Sequence, residues 1–382
     1  MQRVDAPQRG GDAGGGVNAP IRPTLPAGKI YVSNGMGIDS FAVLVGLQKL
    51  GLRPEAIYFA DTGNEKDPTY ALLPALNAWL RKVGFPEVTV LTKVTREGFS
   101  LSLEQHSLRT RRLPAFAYGG ASCSLKFKGD RIDLAIRHRP DAQACLARGE
   151  KLIRVIGYDD SKADRERARK AREGREKILA PAARAEVARL RAENTAASVK
   201  AAKLLERRIE RAERDARENY WFYPLQLWGW TRAECVRQIE AAGLPVPVKS
   251  ACYFCPGQKP HELVEMALQD PEKAWRVIVM ESLAMNSHTT DVGLWRSAIQ
   301  GLRGATAKPA YMSVYLLEWL DTGEAFDRWM PDLDRKGTAL ETVAMEHVGA
   351  LYRQGHLRVL TQTTPDPAAL QGLRVLPRGG TR

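Results

Sequence analysis

The sequence predicts an α/β protein: a doubly wound, mostly parallel sheet with an inserted helical arm and a mainly helical C-terminal part. Three observations predict it. Short apolar runs alternate with helix-period stretches through the first third of the chain. Turns rich in Gly, Asp and Ser follow those apolar runs directly. Between residues 162 and 218 the aliphatic residues thin out and charge rises, before aromatic and apolar residues return.

Taken in order, "KIYVSN" is a buried strand and "DSFAVLVGLQKLG" a helix, with Asp39 near its start and Gly51 at its stop. "EAIYFAD" is a second strand, and "DPTYALLPALNAWLRKVG" a second helix ending at Gly84. "EVTVLT" is a third strand and "KLIRVIGY", residues 151–158, a fourth. This alternation implies right-handed crossovers and a largely parallel sheet. Ligands on such sheets bind at the carboxyl ends of the strands. "SNGMGIDS", "FADTGNE" and "IGYDDSKADR" all follow strands, so all three can face one crevice.

The domain reading is a disordered tail at 1–28, a nucleotide-binding domain whose first part is 29–161, and a basic arm at 162–218. Completion of the core follows at 219–265, then a mainly helical region at 266–362 and a tail at 363–382. The arm holds 18 Lys+Arg against 11 Asp+Glu, a net of +7. Its alanine-rich sequence is too weakly apolar for a core of its own, so it packs as a thin hairpin or stays solvated. Gly174 with Pro181, and Asn194 with Thr195, offer breaks.

The chain has 382 residues, 44% of them hydrophobic, which suffices for a sizeable core. No apolar run is long enough to span a membrane. The N-terminal stretch lacks the apolar core of a signal peptide. Five cysteines without an export signal argue against a disulfide framework. A reducing cytoplasm is the expected location. The net charge of +13 favours a polyanionic partner without naming one.

"SNGMGIDS", residues 33–40, stands between a strand and a helix. Gly35 and Gly37 let the backbone approach phosphate oxygens, and the helix N-terminus adds partial positive charge. Ser33 and Ser40 supply hydroxyls, and Asn34 belongs to the same turn. Asp39 repels phosphate, so it either caps the helix or holds Mg²⁺ against the phosphates. The Walker loop and the dinucleotide fingerprint both fail, the first for want of Gly-Lys-Ser/Thr and the second because Ser40 stands where a final Gly belongs. Cys252 and Cys255 form Cys-x-x-Cys, a spacing suited to one metal centre, to redox use or to simple burial.

The 33–40 stretch resembles the pyrophosphate-binding loop of the PP-loop ATP pyrophosphatases, in the longer form of the phosphoadenosine phosphosulfate (PAPS) reductase-like branch, also called adenine nucleotide alpha hydrolase-like. Further pieces resemble that branch in order: "FADTGNEKDPTY", "ASCSLKFKGDRID", "IGYDDSKADRERAR", "FYPLQLWGWTRAECVRQIEAAGLP" and "KSACYFCP". Together they cover roughly residues 29 to 265, interrupted by the arm.

The resemblance implies an adenine nucleotide, ATP with Mg²⁺, at Ser33, Asn34, Gly35, Gly37 and Ser40, bordered by Asp61, Thr62 and Gly157. Asp39, Lys126 and Arg165 are the implied catalytic residues, Asp39 supporting Mg²⁺ and the two cations neutralising phosphate or sulfate. Cys123, Cys252 and Cys255 are the implied ligands of an iron–sulfur cluster or Zn²⁺, with His261 a candidate fourth ligand. The implied reaction splits ATP into AMP and pyrophosphate to adenylate a target, with sulfur transfer to tRNA or DNA as its use. The basic arm would hold that nucleic acid, and a sulfur-donor protein would be a second partner. Two alternatives stay open. One is a PAPS or adenylyl sulfate reductase, disfavoured because no cysteine follows Cys255. The other is a nucleotide-binding accessory that has lost catalysis, suggested by Met36 and Ile38 within the loop.

Overall fold

A computed structural model describes residues 18–95, 97–114, 117, 124–285, 293–295, 312–313 and 316. The expected C-terminal tail, most of the expected 266–362 region beyond residue 285, residues 1–17 and Cys123 lie outside the described residues. In chain order the elements are β1 (Gly28–Ser33), α1 (Ile38–Lys49), β2 (Ala56–Asp61), α2 (Asp67–Ala71), α3 (Leu73–Lys82), β3 (Val88–Thr92) and α4 (Leu103–Thr110). A π-helical segment (Ser124–Gly129), α5 (Asp130–Arg137), α6 (Pro140–Ala147) and β4 (Lys151–Ile156) follow. Then come α7 (Lys162–Leu179), α8 (Pro181–Ala192), α9 (Ala196–Glu218) and β5 (Asn219–Phe222). The described chain ends with α10 (Pro224–Trp228), α11 (Arg232–Ala241), α12 (Pro260–Gln269) and α13 (Pro271–Met285).

The five strands form one parallel sheet in the order β3-β2-β1-β4-β5, flanked by helices. The order reverses direction between β1 and β4, where a doubly wound sheet opens its ligand crevice. Their register pairs Gly28 with Lys151 and Ser33 with Ile156, so the two following loops leave the sheet at the same level.

The chain divides into two compact units: Met1–Ile57 with Leu72–Val88 and Pro140–Val248, and Tyr58–Ala71 with Thr89–Arg139 and Lys249–Arg382. In the first, α1 is buried from Ser40 to Leu47. An amphipathic surface helix would bury one stripe; this one is apolar on all sides and sits centrally. Each of Phe41, Leu44 and Leu47 contributes roughly 1.5–3 kcal/mol by leaving water. Gly46 admits the Trp228 ring, because a Cβ there would stand 2.1 Å from it. In the second unit, Phe127, Tyr253, Phe254, Leu263 and Val277 anchor a separate apolar cluster.

Several sequence expectations change. The single helix expected from Asp67 is broken into α2 and α3, because Pro74 lacks an N–H and its ring clashes with the preceding turn. The fourth strand stops at Ile156, two residues early. Residues 18–27, read as part of a loose tail, are tied down at several points. The indole N–H groups of Trp230 and Trp228 donate to the carbonyls of Asn18 (3.1 Å) and Ile21 (2.8 Å). The Gln238 amide also donates to the Asn18 carbonyl. A buried indole N–H needs an acceptor, and this segment supplies two.

The arm is the crossover that joins the parallel neighbours β4 and β5. Gly174 does not interrupt α7; the breaks fall at Ala180–Pro181 and at Glu193–Thr195. Thr195 caps α9 through a capping box with Ser198. Against expectation, the helices have a small apolar cluster of their own: Val187, Ala202 and Ile209, flanked by Ile178, Ala183, Leu190 and Leu205. Asp215 fixes the arm's base, accepting from Asn219 Nδ2 (2.8 Å) and Trp221 Nε1 (2.9 Å).

Candidate functional site

The loop after β1 is built from its own side chains. Asn34 is buried, and its Oδ1 accepts from the Met36 N–H at 2.7 Å, which closes an Asx turn. Its Nδ2 is buried without a hydrogen-bond partner among the described residues. The Gly35 N–H donates to Ser40 Oγ at 2.9 Å. Met36 is fully buried at φ 58°, a conformation that strains a bulky residue by roughly 1–3 kcal/mol. Gly37 is the N-cap of α1, and no side chain caps it. Asp39 therefore does not cap the helix; it sits in the first turn. The uncapped first-turn N–H groups and Asn34 Nδ2 together form a donor set suited to an oxyanion.

The loop after β4 meets this turn. A Cβ on Gly157 would stand 2.8 Å from the Asp39 carbonyl carbon and 3.0 Å from the Ser40 nitrogen. Only glycine allows that approach. Beyond it the chain brings up Asp159 and Asp164, whose carboxylates lie with that of Asp39 within 4.8 Å of one another. The Asp159 Oδ1 accepts from the Ser161 N–H at 3.0 Å, and Ser161 caps α7 by accepting from the Asp164 N–H. Arg232, the first residue of α11, pairs with Asp39 at 2.7 Å. Burial pushes the Asp39 carboxyl up to about 6; Arg232 opposes the rise, while Asp159 and Asp164 add to it.

Three crowded carboxylates beside this turn would repel a bare phosphate. They become compatible through a hard cation held by oxygen donors. The donor set fits Mg²⁺.

Other expected residues go elsewhere. Arg165 pairs with Asp160 at 2.6 Å and is largely exposed; with Lys162 and Arg169 it lines an open cavity of about 770 Å³. Lys126 is exposed on the π-helical segment. Asp61 closes a turn, its Oδ1 accepting from the Gly63 N–H and the Tyr70 hydroxyl, both at 2.7 Å. Thr62 is buried, with Oγ1 3.3 Å from Glu65 Oε1 and 3.1 Å from Cys252 Sγ. Glu65 is buried and takes an ion pair from Lys128 at 2.8 Å. Burial pulls the Lys128 ammonium down, but Glu65, Cys252 and Cys255 outweigh it and hold the group above its usual value. Burial, with the Glu65 charge, pushes the Cys252 thiol well up. Cys255 is half-buried, and its Sγ accepts from the Gly257 N–H at 3.5 Å. His261 is exposed at the start of α12. Cys145 and Cys235 are buried core thiols.

The structure thus groups Ser33, Asn34, Gly35, Gly37, Asp39, Ser40 and Gly157, and separately Thr62 with Cys252. Sequence reasoning missed Asp159, Asp164, Arg232, Glu65 and Lys128. The acidic run "YDDSKAD" carried a signal for the first two. Nothing in "GWTRAE" singles out Arg232, and Lys128 was hidden by the nearby Lys126. The chain matches no family model, no curated protein and no solved structure.

Proposed function

We propose that this chain is a PP-loop enzyme of the PAPS reductase-like type that binds ATP and cleaves it to AMP and pyrophosphate, adenylating a target. The observation that carries the reading is the convergence at the β1/β4 switch point. There the uncapped N-terminus of α1, the free Asn34 Nδ2 and the carboxylates of Asp39, Asp159 and Asp164 meet across Gly157. The turn at 33–40 receives the leaving pyrophosphate through backbone N–H groups and Asn34. Asp39, Asp159 and Asp164 would hold Mg²⁺, whose charge would offset that of the phosphates. A target oxygen attacks the α-phosphorus, the bond from that phosphorus to the bridging oxygen breaks, and pyrophosphate departs with that oxygen. The target loses its proton and carries AMP until a nucleophile displaces it.

The net charge of +7 on the 162–218 arm supports a nucleic acid as target. In the other unit, Cys252 and Cys255 with Cys123 bind a metal centre, iron–sulfur or zinc, for use with a sulfur-donor protein. Labelled ATP tests the reading: AMP and pyrophosphate are expected, in the presence of nucleic acid. ADP and orthophosphate would refute it.

A second reading rests on the Asp39–Arg232 ion pair and on Met36 in the loop. Arg232 satisfies Asp39 without a metal ion, so the chain would bind nucleotide and not turn it over. Tight ATP binding with no product under any target condition would select it.

A further inference from the structure

The helices of the arm carry their charge in two ways. On α7 and α8 every arginine but exposed Arg172 is held in an ion pair. Arg169 bridges Glu166 and Glu173, Arg189 bridges Glu186 and Glu193, Arg184 meets Glu213, and Arg191 meets Glu206. On α9, by contrast, Lys200, Lys203, Arg207 and Arg208 are all exposed and have no ion pair or hydrogen bond among the described residues.

Helix geometry puts these cations on one face. At about 100° per residue, Lys200, Arg207 and Arg211 fall within about 20° of one line along α9. Lys203 leans about 60° to one side of that line and Arg208 about 80° to the other. The opposite face holds Ala202, Leu205 and Ile209, which close the arm's apolar cluster. Glu206 and Glu213 are turned toward α8 by their pairs with Arg191 and Arg184. Glu210 alone borders the basic stripe. From Lys200 to Arg211 the stripe runs about 17 Å at 1.5 Å per residue.

We propose that the basic face of α9 docks double-stranded DNA, with the helix lying in the major groove and its cations on the two phosphate walls. It rests on the nucleic-acid half of the function proposed above. The major groove of B-form DNA is wide enough for an α-helix, and a fan of cations well over 90° across reaches both of its sides. The major groove of an RNA duplex is too narrow and deep for a helix. Single strands are gripped by stacking, and residues 162–218 contain no aromatic side chain. An anionic membrane needs a broad apolar face, and α9 offers only Leu204, 61% exposed, within the stripe. The helix has no Asn or Gln for reading adenine, and phosphate contacts of this kind set position and orientation on the duplex.

The test is binding of a labelled short DNA duplex to the full chain over a salt series. In the variant K200A/K203A/R207A/R208A the slope of log affinity against log salt should fall by about 3 to 4. The variant R169A/R184A/R189A/R191A removes equal charge from α7 and α8 and should keep a slope within about 1 of the unsubstituted chain. Circular dichroism checks that both stay helical, and the charge-preserving variant K200R/K203R/R207K/R208K should keep the slope of the unsubstituted chain. An equal loss in both alanine variants would overturn the proposal. So would RNA duplex, single-stranded DNA or anionic vesicles binding as tightly as DNA duplex; RNA or single-strand preference would leave the nucleic-acid target standing. No binding to any nucleic acid would overturn both, while ATP cleavage in the same preparation would leave the nucleotide chemistry intact.

Discussion

Gly157 touches the first turn of α1 so closely that a methyl group there would lie 2.8 Å from the Asp39 carbonyl carbon. This contact joins the end of β4 to the turn after β1. The obstructing atoms are backbone, so they cannot rotate away. Gly157→Ala should therefore shift the start of α1 and weaken ATP binding by at least about 10-fold, a loss near 1.4 kcal/mol. Thermal unfolding and nucleotide titration of the same variant check this. An alanine variant that binds ATP normally would show that the contact is only packing.

Asp39 makes opposite demands on stability and on chemistry. Burial raises its carboxyl from 3.8 to about 6 in the fold, so the native state favours the protonated form. That contribution is complete below about pH 4 and is lost as pH climbs through about 6. Above it the charged carboxylate costs the metal-free protein on the order of 1–2 kcal/mol, after allowing for its partial exposure. Asp39→Asn should raise the metal-free melting temperature at pH 8 and leave it unchanged at pH 4. The same change should lower ATP turnover by at least about 100-fold and abolish stabilisation by Mg²⁺. A variant that is less stable at pH 8 would contradict the buried-charge account.

Much of this arrangement was legible because it depends on local chemistry. The β1 and β4 runs are apolar, and Gly-, Asp- and Ser-rich turns follow them, so the crevice could be placed before any geometry was known. Asp159 and Asp164 stand in the acidic run after β4, but only the caps at Ser161 and the closeness of Gly157 bring them to Asp39. Arg232 lies 193 residues from its partner, beyond the reach of any local pattern. Lys126 and Lys128 are two apart on the π-helical segment; spacing alone does not say which is turned inward. The arm's apolar cluster escaped notice because Val187, Ala202 and Ile209 are spread over two helices and look sparse along the chain.

The Glu65–Lys128 pair decides between those two lysines. Glu65 has a side chain with no exposed surface, and its Oε2 has no hydrogen-bond partner among the described residues. Removing Lys128 strands a buried carboxylate. Lys128→Met should cost about 3–5 kcal/mol in urea unfolding, and adding Glu65→Gln should recover much of it. Lys126→Met, at an exposed position of the same segment, should change stability by less than about 0.5 kcal/mol. Equal effects from both lysines would mean that the ion pair does not organise this part of the chain.

Cys252 is buried next to Thr62 and close enough to Lys128 and Glu65 to feel both charges. Burial keeps its thiol protonated in the bare protein, which makes it a poor nucleophile. A bound metal reverses this, since it holds cysteine as thiolate and draws on the positive field of Lys128. Anaerobically purified protein should therefore contain about one zinc or one iron–sulfur cluster per chain, and a visible absorption band would separate the two. Cys252→Ser and Cys255→Ser should each release most of the metal. Cys145→Ser and Cys235→Ser, at core positions elsewhere, should not. Iodoacetamide supplies a second readout: after chelation, half-buried Cys255 should label in the native protein well before Cys252. Full metal content in a Cys252→Ser, Cys255→Ser double variant would reduce the motif to structural thiols. In that case the order of labelling would report burial alone.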